Sequence, residues 1–183
     1  MNKQCRQGAR SARGFTLIDV LISIIVLAFG MLSLARVMAQ ASLGEMEAYE
    51  RSQAMTLAQD MVERINLNRK NAAAYVGAYA AASTGAGLGG CAAVAAGTLR
   101  DACEWQSLLA GDTTLDGVKV IGAPIGAYGC VTNPAPNIYI VAVAWQGMVA
   151  STGSDSTCGQ GMFDQEEKRR VFSTVVQIAT LGA

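Results

Sequence analysis

Histidine is absent from this 183-residue sequence, and aromatic residues are few. Histidine is the commonest general base and the commonest protein ligand for metal ions. Its absence therefore argues against most hydrolytic active sites and most metal centres. With only 4 Phe and 2 Trp, any soluble domain is expected to have a modest core. We predict that the protein is not an enzyme and that it needs no cofactor or metal ion.

The formal net charge of the chain is zero, but the charged residues are unevenly distributed along it. Residues 1–14 contain four basic residues and no acidic one, which leaves 10 basic and 14 acidic residues in the remainder. These four are Lys3, Arg6, Arg10 and Arg13. A chain that is net negative without this arm has no general attraction to nucleic acid. We predict that the arm is a topology signal and that nucleic acid is not a partner.

Proline is missing from the first 123 residues, and a long apolar run lies near the start of that region. The segment Val20–Ala35 has no charged residue, and the run begins at Phe15 if Asp19 is tolerated. Its 21 residues would form a helix of roughly 30 Å, which is the thickness of a bilayer core. Because the basic arm precedes this helix, we expect the N-terminus in the cytoplasm and the downstream chain in the periplasm or outside the cell.

An ordinary secretory signal peptide is the alternative interpretation of the same run. Such a signal has a shorter apolar region and is cut after it, at small residues. Ala39, Ala41 and Ser42 could supply that site. The two interpretations differ in whether the apolar segment is removed or retained.

Helical periodicity continues beyond the apolar run and predicts one helix from about Phe15 to Arg69. Apolar residues recur at steps of three and four and would form one stripe on which a soluble domain packs. They are Leu57, Ala58, Met61, Val62 and Ile65. The pairs Glu47/Arg51 and Asp60/Arg64 have the favourable acid-first spacing of four residues.

The remaining chain predicts an α+β domain. Residues 72–98 are rich in Ala and Gly and are expected to form a long surface loop. A short helix should begin near Leu99, with Thr98 as its cap, and end at Gly111. Strands are expected at Gly117–Ile121, Ile138–Trp145 and Arg170–Ile178 of a small antiparallel sheet. Pro134 and Pro136 are assigned to the turn before the middle strand. Trp105 and Trp145 are expected in the core, and the charged run at 159–170 is expected to be solvated.

The segment RGFTLIDVLISIIVLAFGMLSLA at residues 13–35 resembles the N-terminus of type IV prepilins and type II secretion pseudopilins. In those proteins a basic leader ends in Gly, Phe follows, an acidic residue stands fifth after the cut, and an apolar helix comes next. Gly14, Phe15 and Asp19 fill these places in order. Asp19 departs from the family, which usually has Glu here, so its reach is shorter by one methylene.

The resemblance implies a role for each of these residues. A prepilin peptidase would cut between Gly14 and Phe15 on the cytoplasmic side and N-methylate Phe15, so the apolar segment would be retained. A carboxylate within a bilayer is costly unless it is paired, and in the family it pairs with the N-terminal amine of a neighbouring subunit. The implied organisation is a cleaved leader at 1–14, a transmembrane and assembly helix at 15–36, an amphipathic continuation at 37–71, and a periplasmic pilin domain at 72–183.

Three further segments resemble PilV-type minor pilins: SQAMTLAQDMVERINLNRKNAAAY, ACEWQSLLAG and IYIVAVAWQG. The similarity implies an inner-membrane protein that enters the pilus fibre at low abundance and helps to initiate its assembly. Its implied partners are other minor pilins, the major pilin, the inner-membrane assembly machinery and a large tip adhesin. The alternatives are a minor pseudopilin of type II secretion and a pilin that binds a surface or DNA.

Five cysteines are present, and removal of Cys5 with the leader would leave four. Four cysteines in an oxidising compartment allow two disulfides. Pairing Cys91 with Cys103 and Cys130 with Cys158 is the simplest of three connectivities that the sequence allows. A zinc site is the rival interpretation, but the spacings are wide, and neither histidine nor a CxxC motif is present.

Overall fold

A computed structural model describes residues 14–81, 87–111, 113–115, 118–120 and 122–179. Most of the basic leader, including Cys5, lies outside these residues, as does part of the predicted loop at 72–98. The chain divides into two compact units, residues 1–42 and residues 43–183.

Helix α1 spans Leu17–Leu67 and is followed by a 3₁₀-helix at Arg69–Tyr75. The predicted helix, ending near Arg69, is thus confirmed to within two residues of each end. Its uninterrupted course follows from the absence of proline, which would remove a backbone donor and clash with the preceding turn. The predicted apolar stripe is buried except for the partly buried Val62.

Antiparallel strands form a four-stranded sheet in the order β1-β4-β5-β6. Their bounds are β1 at Gly77–Ala80, β4 at Tyr128–Ala135, β5 at Ile138–Gln146 and β6 at Arg169–Gln177. A separate two-stranded sheet pairs β2, Thr113–Leu115, with β3, Val118–Val120. The α+β fold expected from the sequence, a long helix on a small antiparallel sheet, is confirmed.

The core of the second unit lies between α1, the sheet and helix α2, which spans Thr98–Leu109. Trp105 is fully buried at its centre. The indole N–H of Trp105 donates to the Leu57 carbonyl at 2.9 Å, and Tyr79 packs edge-on against the ring at 5.1 Å. Gly129 on β4 permits this arrangement, because a Cβ there would overlap the indole ring. The predicted burial of Trp105 and Trp145 is confirmed.

Three local predictions are wrong. The segment expected to be a loop, residues 72–98, contains the end of the first 3₁₀-helix, strand β1 and a second 3₁₀-helix at Gly87–Ala93. Strand β1 consists of small residues around one buried tyrosine, so main-chain pairing with β4 defines it rather than an apolar pattern. Strand β4 was missed, and Pro134 lies within it instead of in the turn. Thr98 is the first residue of α2 and not its cap, since Gly97 occupies that position.

Two charged groups also differ from expectation. Glu47 forms an ion pair with Arg170 at 3.3 Å, so the predicted Glu47/Arg51 pair is not the one observed. Arg169, within the run expected to be solvated, is buried and donates to the carbonyls of Ser154, Ser156 and Cys158. It also pairs with Glu166. The hydrogen bonds of Arg169 therefore connect the loop at residues 154–158 to the start of β6.

Candidate assembly segment

The start of α1 is organised by Asp19, the only acidic residue in its first turn. The Asp19 Oδ2 accepts hydrogen bonds from the Thr16 backbone N–H at 3.1 Å and from the Thr16 hydroxyl at 2.7 Å. An acid that reaches back three residues to the capping position satisfies a backbone donor that the helix cannot satisfy itself. The carboxylate is thus held beside the chain entering the helix.

Gly14 and Phe15 precede the helix and are exposed. A Cβ added to Gly14 would meet nothing within 4 Å. Phe15 is 87% exposed. The peptide bond between them is therefore in non-helical, unobstructed chain within the first unit, which is the form that a protease can bind.

Every described side chain from Gly14 to Met46 is exposed. The helix is long and apolar enough to cross a membrane, and its apolar window has no buried residue within the chain. The core helix of a soluble protein can be as long and apolar but is mostly buried, and a signal sequence near the N-terminus can also have this length and composition. Exposed apolar surface on this scale needs to be covered by lipid or by another protein.

Polar groups inside the apolar helix find partners within the helix. The Ser23 hydroxyl donates to the Asp19 carbonyl at 2.6 Å, and the Ser33 hydroxyl donates to the Phe29 carbonyl at 2.6 Å. Such back-bonding satisfies hydroxyls where no water is available. The segment can therefore enter a bilayer with no unpaired serine hydroxyl.

The structure places the three residues identified from the sequence at the start of the described chain: Gly14 and Phe15 precede α1, and Asp19 lies in its first turn. Thr16 was missed. Its signal was the Thr-x-x-Asp spacing, in which a hydroxyl residue precedes an acid by three positions. The cysteines identified from the sequence lie in the second unit and contribute to its stability rather than to this segment.

In the second unit, Arg64 of α1 joins that helix to α2. Its guanidinium contacts Asp60 at 2.7 Å, Glu104 at 2.7 Å and Asp101 at 3.4 Å. Desolvation alone would lower the pKa of Arg64, but its hydrogen bonds to Asp60 and Glu104 raise it above the usual value. The predicted Asp60/Arg64 pair is therefore one part of a larger, partly buried network.

Tyr75 extends this network from the 3₁₀-helix. Its hydroxyl donates to Asp101 and accepts from the Asn68 amide at 3.3 Å. Burial, together with the hydrogen bond to the Asp101 carboxylate, raises the pKa of Tyr75 to about 12. These hydrogen bonds thus connect the 3₁₀-helix to the end of α1 and to α2.

Glu50 is a buried carboxylate on α1, 6% exposed. Among the residues that the structure describes, its Oε2 has no hydrogen-bond partner. Burial raises the pKa of Glu50, and the charge of Glu47 adds to the shift, while polar contacts from the Ile125 backbone and the Trp145 side chain partly offset it. A buried carboxylate with an unpaired oxygen costs stability in its charged form.

The four downstream cysteines lie at disulfide distance in the simplest of the three pairings. Cys91 and Cys103 have Cα atoms 5.7 Å apart and join the second 3₁₀-helix to α2. Cys130 on β4 and Cys158 have Cα atoms 5.8 Å apart. In the part of the chain that the structure describes, no group of three or more His, Cys, Asp or Glu could hold a metal ion.

Comparison with known proteins gives a match to a protein-family model. A family model described as Tt1218-like, type IV pilin Tt1218, matches residues 39–110. The matched region runs from the middle of α1 through α2 and includes the Arg64 network and the first cysteine pair. No curated protein and no solved structure matches the chain significantly. The match covers less than half of the chain, and within the described residues the pilin-like fold and the apolar N-terminal helix agree with this similarity to type IV pilins.

Proposed function

We propose that this chain is a minor pilin of the PilV type that acts in the initiation of type IV pilus assembly and enters the fibre at low abundance. The observation that carries the proposal is the first unit, an exposed apolar helix whose first turn holds a lone, pre-positioned carboxylate. Pilins are structural rather than catalytic, and the family match supports that class of function.

Processing would convert the precursor into an assembly-competent subunit. Prepilin peptidase would cut between Gly14 and Phe15 and N-methylate the new amine of Phe15. The non-helical conformation of residues 14–16 supports this step, because proteases bind extended chain. The basic arm would hold the N-terminus in the cytoplasm, so the second unit would lie in the periplasm.

Assembly would then bring the Phe15 amine of one subunit to the Asp19 carboxylate of another. A buried carboxylate is tolerated when a cation neutralises it. Asp19 is already oriented by Thr16, so it would offer its remaining lone pairs to that amine. The partners would be other minor pilins and the major pilin, acting with the inner-membrane machinery and a large tip adhesin.

The test is Asp19→Asn, with Asp19→Glu as the matched control. Asn keeps the size of Asp and an oxygen that can accept the Thr16 N–H, but it removes the charge. We expect membrane insertion and cleavage to persist with Asn, while incorporation into sheared pili and the number of pili fall several-fold. The Glu variant should assemble at least as well as the parent. Assembly of the Asn variant at the parental level would show that Asp19 does not pair with an amine.

A further inference from the structure

Three segments of the second unit meet at the end of the sheet where β5 ends and β6 begins. The Val149 N–H donates to the Glu47 Oε1 at 3.2 Å, which places the loop after β5 beside α1. The Gln146 N–H donates to the Ile125 carbonyl at 3.0 Å, and the Ile125 backbone is also in polar contact with Glu50. The turn before β4 and the loop after β5 thus flank the same part of α1.

Four apolar side chains are exposed at this end, and we call them the apolar rim. Leu43, Met46, Ile125 and Val149 are each between 43% and 52% exposed. All four belong to the second unit. Leu43 precedes Glu50 by seven residues, so it lies on the side of α1 that packs on the domain. Isolated exposed apolar residues are ordinary on a protein surface, whereas a group of neighbouring ones marks an interaction site.

The loops that carry the rim have no charged residue. The turn before β4 has the sequence GAPIGA at 122–127, and the loop after β5 has the sequence GMVASTGS at 147–154. Beside them, Glu47 and Arg170 form an ion pair at 3.3 Å, so these two charges neutralise each other. Such a surface suits lipid better than it suits a strongly charged partner.

The length of the apolar chain before the rim also indicates lipid. From residue 15 to residue 44 the only charged residues are Asp19 and Arg36. As a helix these 30 residues are about 45 Å long, which matches a bilayer of about 40–45 Å including its headgroups. The bilayer surface would then fall close to residue 44, between Leu43 and Met46 of the rim.

We propose that the apolar rim rests on the bilayer that holds α1, with its four side chains in the headgroup region, before the subunit is assembled. The inference rests on the membrane anchoring in the proposed function and adds a second, reversible contact with phospholipid. Apolar surface at a bilayer interface binds in proportion to the area that it buries there. Transfer of the subunit from the bilayer to the fibre would break this contact.

Nitroxide quenching of a fluorescent dye tests the contact. The full chain, in a Cys5→Ser background with its two cysteine pairs oxidised, is reconstituted in phosphatidylcholine vesicles. The vesicles contain a lipid with a nitroxide near the top of its acyl chain. The dye is attached to Ile125→Cys, to Val149→Cys or, as a reference, to Leu99→Cys, which is 66% exposed. We expect several-fold more quenching at the two rim positions than at the reference.

The reference position lies far from the rim. Leu99 is in the first turn of α2, and Asp101 of the same turn contacts Arg64, roughly 20 Å further along α1 than Glu50. A dye at Leu34→Cys, in the apolar helix, reports the anchoring itself. Quenching at Leu34 without quenching at the rim would overturn this inference and leave the proposed function intact, whereas no quenching at any position would overturn both.

A further measurement separates lipid from a second copy as the occupant of the rim. Rim dyes whose blue-shifted emission shows shielding from water, but which the labelled lipid does not quench, would assign the surface to another subunit and overturn the proposal. Ile125→Asn should lower the quenching at Val149→Cys, because it removes apolar area from the same surface. The matched control Leu67→Asn, at an exposed position at the end of α1, should not. Equal quenching in the two variants would contradict a shared lipid-facing surface.

Discussion

The two units of this chain differ in whether their apolar side chains are buried or exposed. In the first, Phe15, Leu27 and Leu34 are all more than half exposed, and no described side chain is buried. In the second, α1 buries Leu57, Met61 and Ile65 against the domain's own sheet and α2. A single helix thus carries two kinds of apolar surface, one covered by the chain itself and one left for lipid or other subunits.

Polar groups differ between the units in the same manner. The first unit satisfies its few polar groups locally, through Thr16, Ser23 and Ser33. The second connects separate elements through Arg64, Tyr75 and two cysteine pairs. The second unit is therefore stabilised by contacts within the chain, whereas the first exposes apolar surface that lipid or another protein must cover.

Loss of the central indole should produce the largest effect within the second unit. Trp105→Ala removes a fully buried side chain, its contact with Tyr79 and its hydrogen bond to Leu57. We expect the free energy of unfolding to fall by about 3–5 kcal/mol, as for other buried tryptophan or phenylalanine truncations. Urea unfolding of the full chain in detergent, followed through the fluorescence of Trp145, measures this change.

The matched control for that variant is Leu67→Ala, because Leu67 is 89% exposed at the end of α1. It should unfold at the parental urea concentration. A similar loss of stability in both variants would contradict the assignment of the core to the packing around Trp105.

An arginine placed on α1 should have different effects on membrane insertion in the two units. Leu27→Arg puts a cation at the centre of the apolar segment, where it should oppose membrane insertion by about 3 kcal/mol. Leu67→Arg puts it on an exposed site in the last turn, where a cation is tolerated or slightly favourable. We expect the first variant to be depleted from carbonate-washed membranes and the second to remain. Equal retention would show that the two surfaces do not differ in function.

Removal of the buried charge at Glu50 should have the smallest effect. A carboxyl group whose pKa is raised in the folded state binds more protons when folded, so it costs stability as the pH rises above about 4.5, the usual value. Glu50→Gln removes that cost. We expect the variant to be more stable than the parent by about 1 kcal/mol at neutral pH, the scale of one unsatisfied buried group.

This difference should disappear as the pH falls through the raised pKa, because the parent's carboxyl group is then neutral. Thermal unfolding at a series of pH values measures it. Glu45→Gln, at an exposed position on the same helix, is the control and should show no such trend. A Glu50→Gln variant that is less stable than the parent at neutral pH would mean that the charge is compensated.

Much of the fold could be predicted from the sequence because it rests on long periodic patterns. The ends of α1 and the positions of β5 and β6 follow from apolar periodicity and β-branched residues. Strands β1 and β4 were not predicted, since their small residues and Pro134 give no alternating pattern. Pairing with neighbours distant in sequence defines them, and a local pattern does not show that pairing.

In the candidate site, too, local features could be predicted from the sequence and contacts between distant residues could not. Gly14, Phe15 and Asp19 were found because motif spacing is local. The partner of Arg64 in α2 was not, because Glu104 is 40 residues away along the chain. The buried positions of Glu50 and Arg169 also depend on elements that meet only in the folded domain.

The identity of the mature N-terminus tests the central claim, that the exposed apolar segment is retained for assembly. Mass spectrometry of the protein recovered from membranes and from sheared pili provides the measurement. The account predicts a chain that begins at N-methylated Phe15 and keeps Asp19 and the whole of α1. A mature chain that begins near residue 42, after the apolar segment, would contradict it, because the segment would then be a discarded secretory signal.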